Sequence, residues 1–329
     1  MPEKTNENII KDIAKTPEKE SGTDLEIVSS PELKKLSESI GTIQDALNHD
    51  RSVKLGQLQQ IQEAAKKLTV NIGGWEFSIE ELEKIPDFEK NVKIWKEVSR
   101  RDFSNIGGLT YITPEIAKRL VGIKYHIDLG KLTSLSDKVA EYLSHHPSNL
   151  YLNGLTSLSD KAAEHLSHHQ GGLGLKKLTS LSNKAAEHLS HHRGWLSLES
   201  LSYLSDRVAE HLSNHQGELY LNGLTSISDQ AAEHLSHHQN DLTLHGLESL
   251  SDKAAEYLSY HQGDLGLSGL TSLSDRAAES LSNHKGILNI DHLFSLSYEA
   301  AEHLARHKGK IMYANDVKKR INNLKVRKK

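Results

Sequence analysis

The sequence predicts an α/β fold built as a solenoid, with a parallel β-sheet on one side, short α-helices on the other and a helical segment ahead of both. Three observations carry that prediction. First, units of 23 residues follow one another from about Ile127 to Lys310 without a gap, so that Asp137 steps to Asp160, Asn183, Asp206, Asp229, Asp252, Asp275 and Tyr298. Second, the same step carries Ala140 to Ala301 and His146 through His169, His192, His215, His238, His261 and His284 to His307. Third, each unit opens with strand periodicity and closes with helix periodicity. Units this short cannot bury a hydrophobic face alone and must stack on their neighbours.

Along the chain, residues 1–30 are polar and charged with no apolar period, which reads as a disordered tail. Leu33, Leu36, Ile40, Ile43 and Leu47 then follow helical spacing, with Pro31 suited to a first turn. After the break at Asn48–Ser52 a second helical pattern runs through Leu55, Leu58, Ile61, Ala65 and Leu68. Residues 31–68 therefore read as a helical hairpin or a short coiled coil, which would either cap the solenoid or mediate self-association through 33–68. Residues 69–103 read as an irregular, divergent N-terminal cap. In them Val70, Ile72 and Trp75 mimic a repeat strand, and Ser78-Ile79-Glu80-Glu81 forms a capping box. In-phase material begins at Ile106, Leu109 and Ile112, with Thr113-Pro114-Glu115 as a helix start, and the solenoid spans 104–313. Residues 314–329 form a C-terminal capping helix with a basic tail.

One unit, Leu150 to Gly172, shows the local logic. Leu150 and Leu152 alternate with Tyr151 and Asn153 at strand period. Leu155 and Leu158 turn the chain beneath the sheet. Ser159 is the predicted N-cap, and Asp160 places a negative charge in the first helical turn. Ala162, Ala163, Leu166 and His169 share one helix face, and the alanines permit close approach to the sheet. Gly171 is expected to end the helix with positive φ. Helices of about nine or ten residues and nine strands at about 4.8 Å, a sheet roughly 40 Å long, follow.

This pattern resembles the leucine-rich repeat, in particular its cysteine-containing class. The stretch Leu219-Tyr220-Leu221-Asn222-Gly223-Leu224-Thr225-Ser226-Ile227-Ser228-Asp229 and onward to Leu235 follows that class closely. The resemblance implies a horseshoe with a concave parallel sheet and convex helices. Leu155, Leu178, Leu201 and Leu224 fill the column where the family has Asn or Cys, so its usual side-chain ladder to the loop backbone is missing. The unit is also shorter, and no F-box-like segment precedes it, so a ubiquitin-ligase role is not carried over. The pattern is most similar to the short, alanine-rich repeats of bacterial proteins.

Composition narrows the function. With no cysteine, neither disulfides nor thiolate chemistry is available. No signal peptide or membrane-length apolar run is present, so a cytoplasmic protein with no membrane partner is expected. The formal net charge of −4 argues against a general polyanion binder. No nucleophile–base–acid set and no phosphate loop stands out, so neither an enzyme nor a cofactor is expected. Twenty of the 21 histidines lie in or just before the repeats. Pairs such as His165 and His169 have i, i+4 spacing suited to metal. Yet the His165 column varies to Tyr142, Tyr257 and Ser280, whereas the His169 column never does, which favours a structural role in which the ring bonds loop or helix-end carbonyls.

The sequence departs from its template at the strand positions that point away from the core. The candidate partner-binding residues are Tyr151, Asn153, Lys176, Glu199, Tyr220, Asn222, Thr243, His245, Asn289 and Asp291. They line the face solenoids use for recognition. A non-catalytic module or scaffold binding a protein there is the leading expectation. The alternatives are a nucleic-acid-associated protein using Lys318, Lys319, Arg320, Lys325, Arg327, Lys328 and Lys329, and a histidine-rich metal-binding array.

Overall fold

The structure, a computed structural model, describes residues 69–72, 75–78, 85, 87–313, 317 and 319. The expected hairpin at 31–68, the short helix after Ser78 and most of the basic tail fall outside them. The chain divides into two compact units, Met1–Lys84 and Ile85–Lys329.

In the first unit, β1 (Thr69–Ile72) and β2 (Trp75–Ser78) form an antiparallel hairpin, with Val70 opposite Phe77 and Ile72 opposite Trp75. These residues mimic a repeat strand in sequence only. The two-residue connection between them selects antiparallel pairing, whereas parallel strands need a long crossover.

The second unit opens with α1 (Phe88–Ser99), where the sequence reads as irregular. Its buried face is Asn91, Ile94, Trp95 and Val98, a helical i, i+3, i+4, i+7 set disguised by the polar Asn91. Asn91 is fully buried because its amide is used twice. Its Nδ2 donates to Thr110 Oγ1 at 2.8 Å, and its Oδ1 accepts from the Thr110 backbone at 3.1 Å. A 3₁₀ turn at Ile106–Gly108 and α2 (Pro114–Leu120) follow, with Thr113 capping α2 through Oγ1.

From there strand and helix alternate. The pairs are β3 (Ile127–Asp128) and α3 (Asp137–Leu143), β4 (Leu150–Tyr151) and α4 (Asp160–Leu166), β5 (Leu173–Gly174) and α5 (Asn183–Ser190), and β6 (Leu196–Ser197) and α6 (Asp206–Leu212). They continue as β7 (Leu219–Tyr220) and α7 (Asp229–Ser236), β8 (Leu242–Thr243) and α8 (Asp252–Leu258), and β9 (Leu265–Gly266) and α9 (Asp275–Leu281). Last come β10 (Leu288–Ile290), α10 (Tyr298–Ala305) and β11 (Ile311–Tyr313). Strands β3 to β11 form one nine-stranded sheet in sequence order, every pair parallel and in register at a step of 23, such as Leu150 with Leu173 and Leu173 with Leu196. The sheet is therefore a stack of identical units.

The core is the set of repeated columns. The leucines equivalent to Leu150, Leu152, Leu155 and Leu166, and the alanines equivalent to Ala162 and Ala163, are fully buried or nearly so. Leu158 is only half-buried. The chain has already turned at Leu155, so Leu158 covers the rim of the helix layer rather than its interior.

The repeat helices are shorter than expected, seven or eight residues. Each starts at a serine N-cap whose hydroxyl accepts from the backbone N–H three residues on, at 2.9 Å for Ser159, Ser182 and Ser228. The same hydroxyl donates to the first-turn aspartate of the unit before: Ser159 to Asp137, Ser182 to Asp160, Ser228 to Asp206, Ser251 to Asp229. One aspartate thus favours its own helix dipole and ties the next helix to it. Where that partner is lacking and valine replaces alanine at the third helical position, the cap lengthens to 3.3 Å at Ser136 and 3.2 Å at Ser205.

Gly171 does not adopt the positive φ expected of it. Close backbone approach explains it instead, since a Cβ there would lie 2.5 Å from the Ser148 carbonyl oxygen. Stacking at strand spacing brings the loops together, and only glycine leaves room.

Candidate functional site

Two features of the second unit differ from ordinary core: a column of buried imidazoles and a row of half-exposed side chains on the outer face of the sheet.

His146, His169, His192, His215, His238, His261, His284 and His307 follow the helices and turn inward, each no more than 5% exposed. Their rings lie parallel to one another along the whole repeat, with neighbouring centroids 5.7 to 6.3 Å apart and planes within 7 to 13° of parallel. That separation lies in the favourable range for offset aromatic stacking. Burial disfavours the charged ring and is the main cause of the lowered pKa values. They fall to about 4 at His146, His192 and His261, and to about 3 at His215. Repulsion from neighbouring rings adds to this at all four. His169, His238 and His284 move in the same direction, again chiefly through burial.

The expected bonds to loop carbonyls form only in part. His192 Nε2 meets the Gly171 carbonyl oxygen at 2.9 Å, and His307 Nδ1 meets that of Ser282 at 3.3 Å. At His146, His169, His215, His238, His261 and His284 the loop backbone approaches the ring and partly offsets the effect of burial, without a hydrogen bond of full geometry. Stacking at the repeat distance and the backbone of the preceding unit's loops together hold these rings. Among the described residues, no three of His, Asp and Glu come together as metal ligands require.

On the sheet, register fixes the outer columns. Asp128, Tyr151, Gly174, Ser197, Tyr220, Thr243, Gly266 and Asn289 pair in succession across the strands. Tyr151, Tyr220, Thr243 and Asn289 are half-buried there, while the flanking leucines are buried. The second column bonds along itself. Asn153 Oδ1 accepts from the Lys176 backbone at 3.3 Å and Asn222 Oδ1 from the His245 backbone at 3.2 Å. A side-chain ladder absent from the Leu155 column is thus partly supplied by these asparagines, which have a structural share besides any binding. Lys176 and Glu199 form an ion pair at 3.0 Å. His245 Nδ1 contacts Ser268 Oγ at 2.8 Å, with its ring over Gly266. Asn289 Oδ1 accepts from the Asp291 backbone at 3.2 Å, and Asp291 lies 3.7 Å from His292.

Sequence reasoning missed Trp195. It stands one residue before β6, at a position filled in other units by Asn149, Gly172, Glu218 or Asp241. Its ring lies on Gly172, where a Cβ would come within 1.9 Å of it. It contacts Tyr151 at 5.5 Å and stands edge-on to Tyr220 at 6.4 Å, and His126 packs against Tyr151 at 5.8 Å. The structure therefore joins Tyr151 and Tyr220, two units either side of a gap of Gly174 and Ser197, through one indole. The usable signal was a lone Trp within the repeats, two residues ahead of a small strand position.

The same edge column carries Glu218, Asp241 and Asp264 in consecutive units. Asp241 accepts from the Asp264 backbone at 2.9 Å, Asp264 from the Ile287 backbone at 2.8 Å, and Glu218 from the Tyr220 hydroxyl. Burial, then the bond to Glu218, then the charges of Glu218, Asp241 and Glu199 push the Tyr220 hydroxyl up to about 12.

At the C-terminal end Val317 is buried, and it and Lys319 are helical. Among the described residues no helix is long and apolar enough to cross a membrane. No known family model matches the chain, and no curated protein matches it.

Proposed function

We propose that the chain is a leucine-rich-repeat solenoid acting as a non-catalytic binding module that engages a protein partner on the concave face of its sheet. The observation that carries this reading is the aromatic run of Tyr151, Trp195 and Tyr220, half-exposed on a face whose other side is occupied by recurring leucines and isoleucines. Aromatic side chains on a rigid backbone give large contact area at small entropic loss, which is why they dominate binding hot spots. Among the described residues away from the sheet, Tyr203 and Tyr260 are exposed in separate units, and Phe294 and Tyr298 are exposed together in the last unit.

An affinity pull-down with the full chain, repeated with a Tyr151→Ala/Tyr220→Ala variant, tests the proposal. The expected result is a partner retained by the first and lost by the second, with unchanged circular dichroism. A partner retained equally by both overturns it. Binding that collapses between low and moderate salt and follows the C-terminal lysines would instead favour nucleic acid.

A further inference from the structure

The chemistry of this face also specifies what kind of segment fits it. This inference rests on the concave-face reading above and narrows it.

Between β5 and β9 the outer columns and the edge column carry Glu199, Glu218, Asp241 and Asp264 against a single cation, Lys176, which is already paired with Glu199. The carboxylates are held in place. Asp241 and Asp264 each accept a backbone N–H of the next unit through Oδ1, which leaves the second oxygen to accept from a ligand. The Tyr220 hydroxyl donates to Glu218, which places this carboxylate at the aromatic run, and Asp241 and Glu199 add their charges to burial in raising the pKa of that hydroxyl. Trp195 and Tyr220 stand beside these carboxylates, and aromatic faces attract cations.

We propose that the face between Trp195 and Asp264 takes an extended, arginine-bearing segment of a protein partner. Guanidinium groups would stack on Trp195 and Tyr220 and bond the carboxylates of Glu218, Asp241 and Asp264. Arginine fits better than lysine, because its planar guanidinium both stacks on an indole and forks onto a carboxylate. The span also fits. From β6 to β9 there are three strand spacings, about 14 Å, which a peptide crosses in about four extended residues, so that a seven-residue probe covers the face with residues to spare.

Isothermal titration of the full chain with heptaarginine tests this, with heptalysine, heptaglutamate and cellohexaose as comparison probes. Heptaarginine is expected to bind more tightly than heptalysine, and the other two probes not to bind. Trp195→Ala should weaken heptaarginine by about tenfold, the size of a desolvated cation–π contact. Glu218→Gln/Asp264→Asn, isosteric changes that keep the backbone acceptor at Asp264, should weaken it by about two- to fivefold per carboxylate and flatten its salt dependence. Tyr260→Ala, on the helix side, should change nothing.

Heptaarginine affinity unaltered by both the Trp195 and the carboxylate variants would overturn the proposal, as would cellohexaose or heptaglutamate binding as tightly as heptaarginine. A captured partner that depends on Tyr151 and Tyr220 but is not displaced by heptaarginine would also overturn it, while leaving the concave-face reading standing. Loss of partner dependence on those tyrosines would instead remove the wider reading.

Discussion

His168 and His169 are adjacent in the chain and have opposite environments. His169 is 1% exposed and stacked between His146 and His192, whereas His168 is exposed and its Nδ1 reaches back to the Glu164 carbonyl at 3.0 Å. Across the repeats the exposed column drifts through His191, Asn214, His237, Tyr260, Asn283 and Arg306, while the buried column is histidine in all eight units. The same contrast holds in the strands, where the Leu150 and Leu152 columns stay apolar in every unit and the Tyr151 column returns to tyrosine only at Tyr220. Stacking constrains only the side chains that touch the next unit. Freedom to vary marks the surfaces on which we propose that partners bind.

The largest test of this contrast is pH. Folded pKa values of about 4 at His146, His192 and His261 and about 3 at His215 lie below the unfolded value near about 6.5. The unfolded chain then binds the extra protons, so stability is complete above about pH 6.5 and falls as pH drops from there toward about 4. Each such histidine contributes up to about 1.4 kcal/mol per pH unit in that window, so several acting together should cost several kcal/mol. Thermal melts from pH 8 to pH 5 should show a steep fall, reduced in a His169→Gln/His192→Gln variant. A melting temperature that is flat or rises on acidification would break the contrast, because the buried column would then be behaving like the exposed one.

Next in size is the inner helix face. Leu166→Ala should cost about 2–5 kcal/mol in denaturant titration, since a fully buried leucine leaves a cavity between two units. His168→Ala should stay within about 0.5 kcal/mol, as surface changes do.

Smaller still is the inter-unit tie. Ser182→Ala removes the cap of α5 and the bond to Asp160, and should cost about 0.5–2 kcal/mol. Ser205→Ala, whose cap is longer and lacks an aspartate one unit back, should cost less. Equal losses at the two would mean that the tie between helices adds nothing to the cap.

The repeat frame was legible because its step of 23 sets every strand, cap and buried column at once. What escaped had no such repetition to reveal it. Trp195 occurs once, so no column announces it, and its placement depends on Gly172 lying one unit behind. Helix α1 was hidden by Asn91, whose burial becomes affordable only when the Thr110 backbone and side chain arrive from elsewhere in the chain. The serine–aspartate ties joined two columns that were each visible, but their contact spans 22 residues and depends on the stacking geometry. Gly171 was assigned to a local backbone need when its cause is the neighbouring unit.

Tyr151→Ala carries a small expected stability effect, about 1 kcal/mol from its lost ring contacts, and the largest expected effect on binding. The central claim is that partners bind where the repeat leaves its side chains free to vary. Site-specific photocrosslinking tests it most directly, with a benzophenone amino acid placed at Tyr220 on the sheet or at Tyr260 on the helices, and the captured partner added to each. The account predicts a crosslinked product from position 220 and none from position 260. Crosslinking from 260 alone would contradict it.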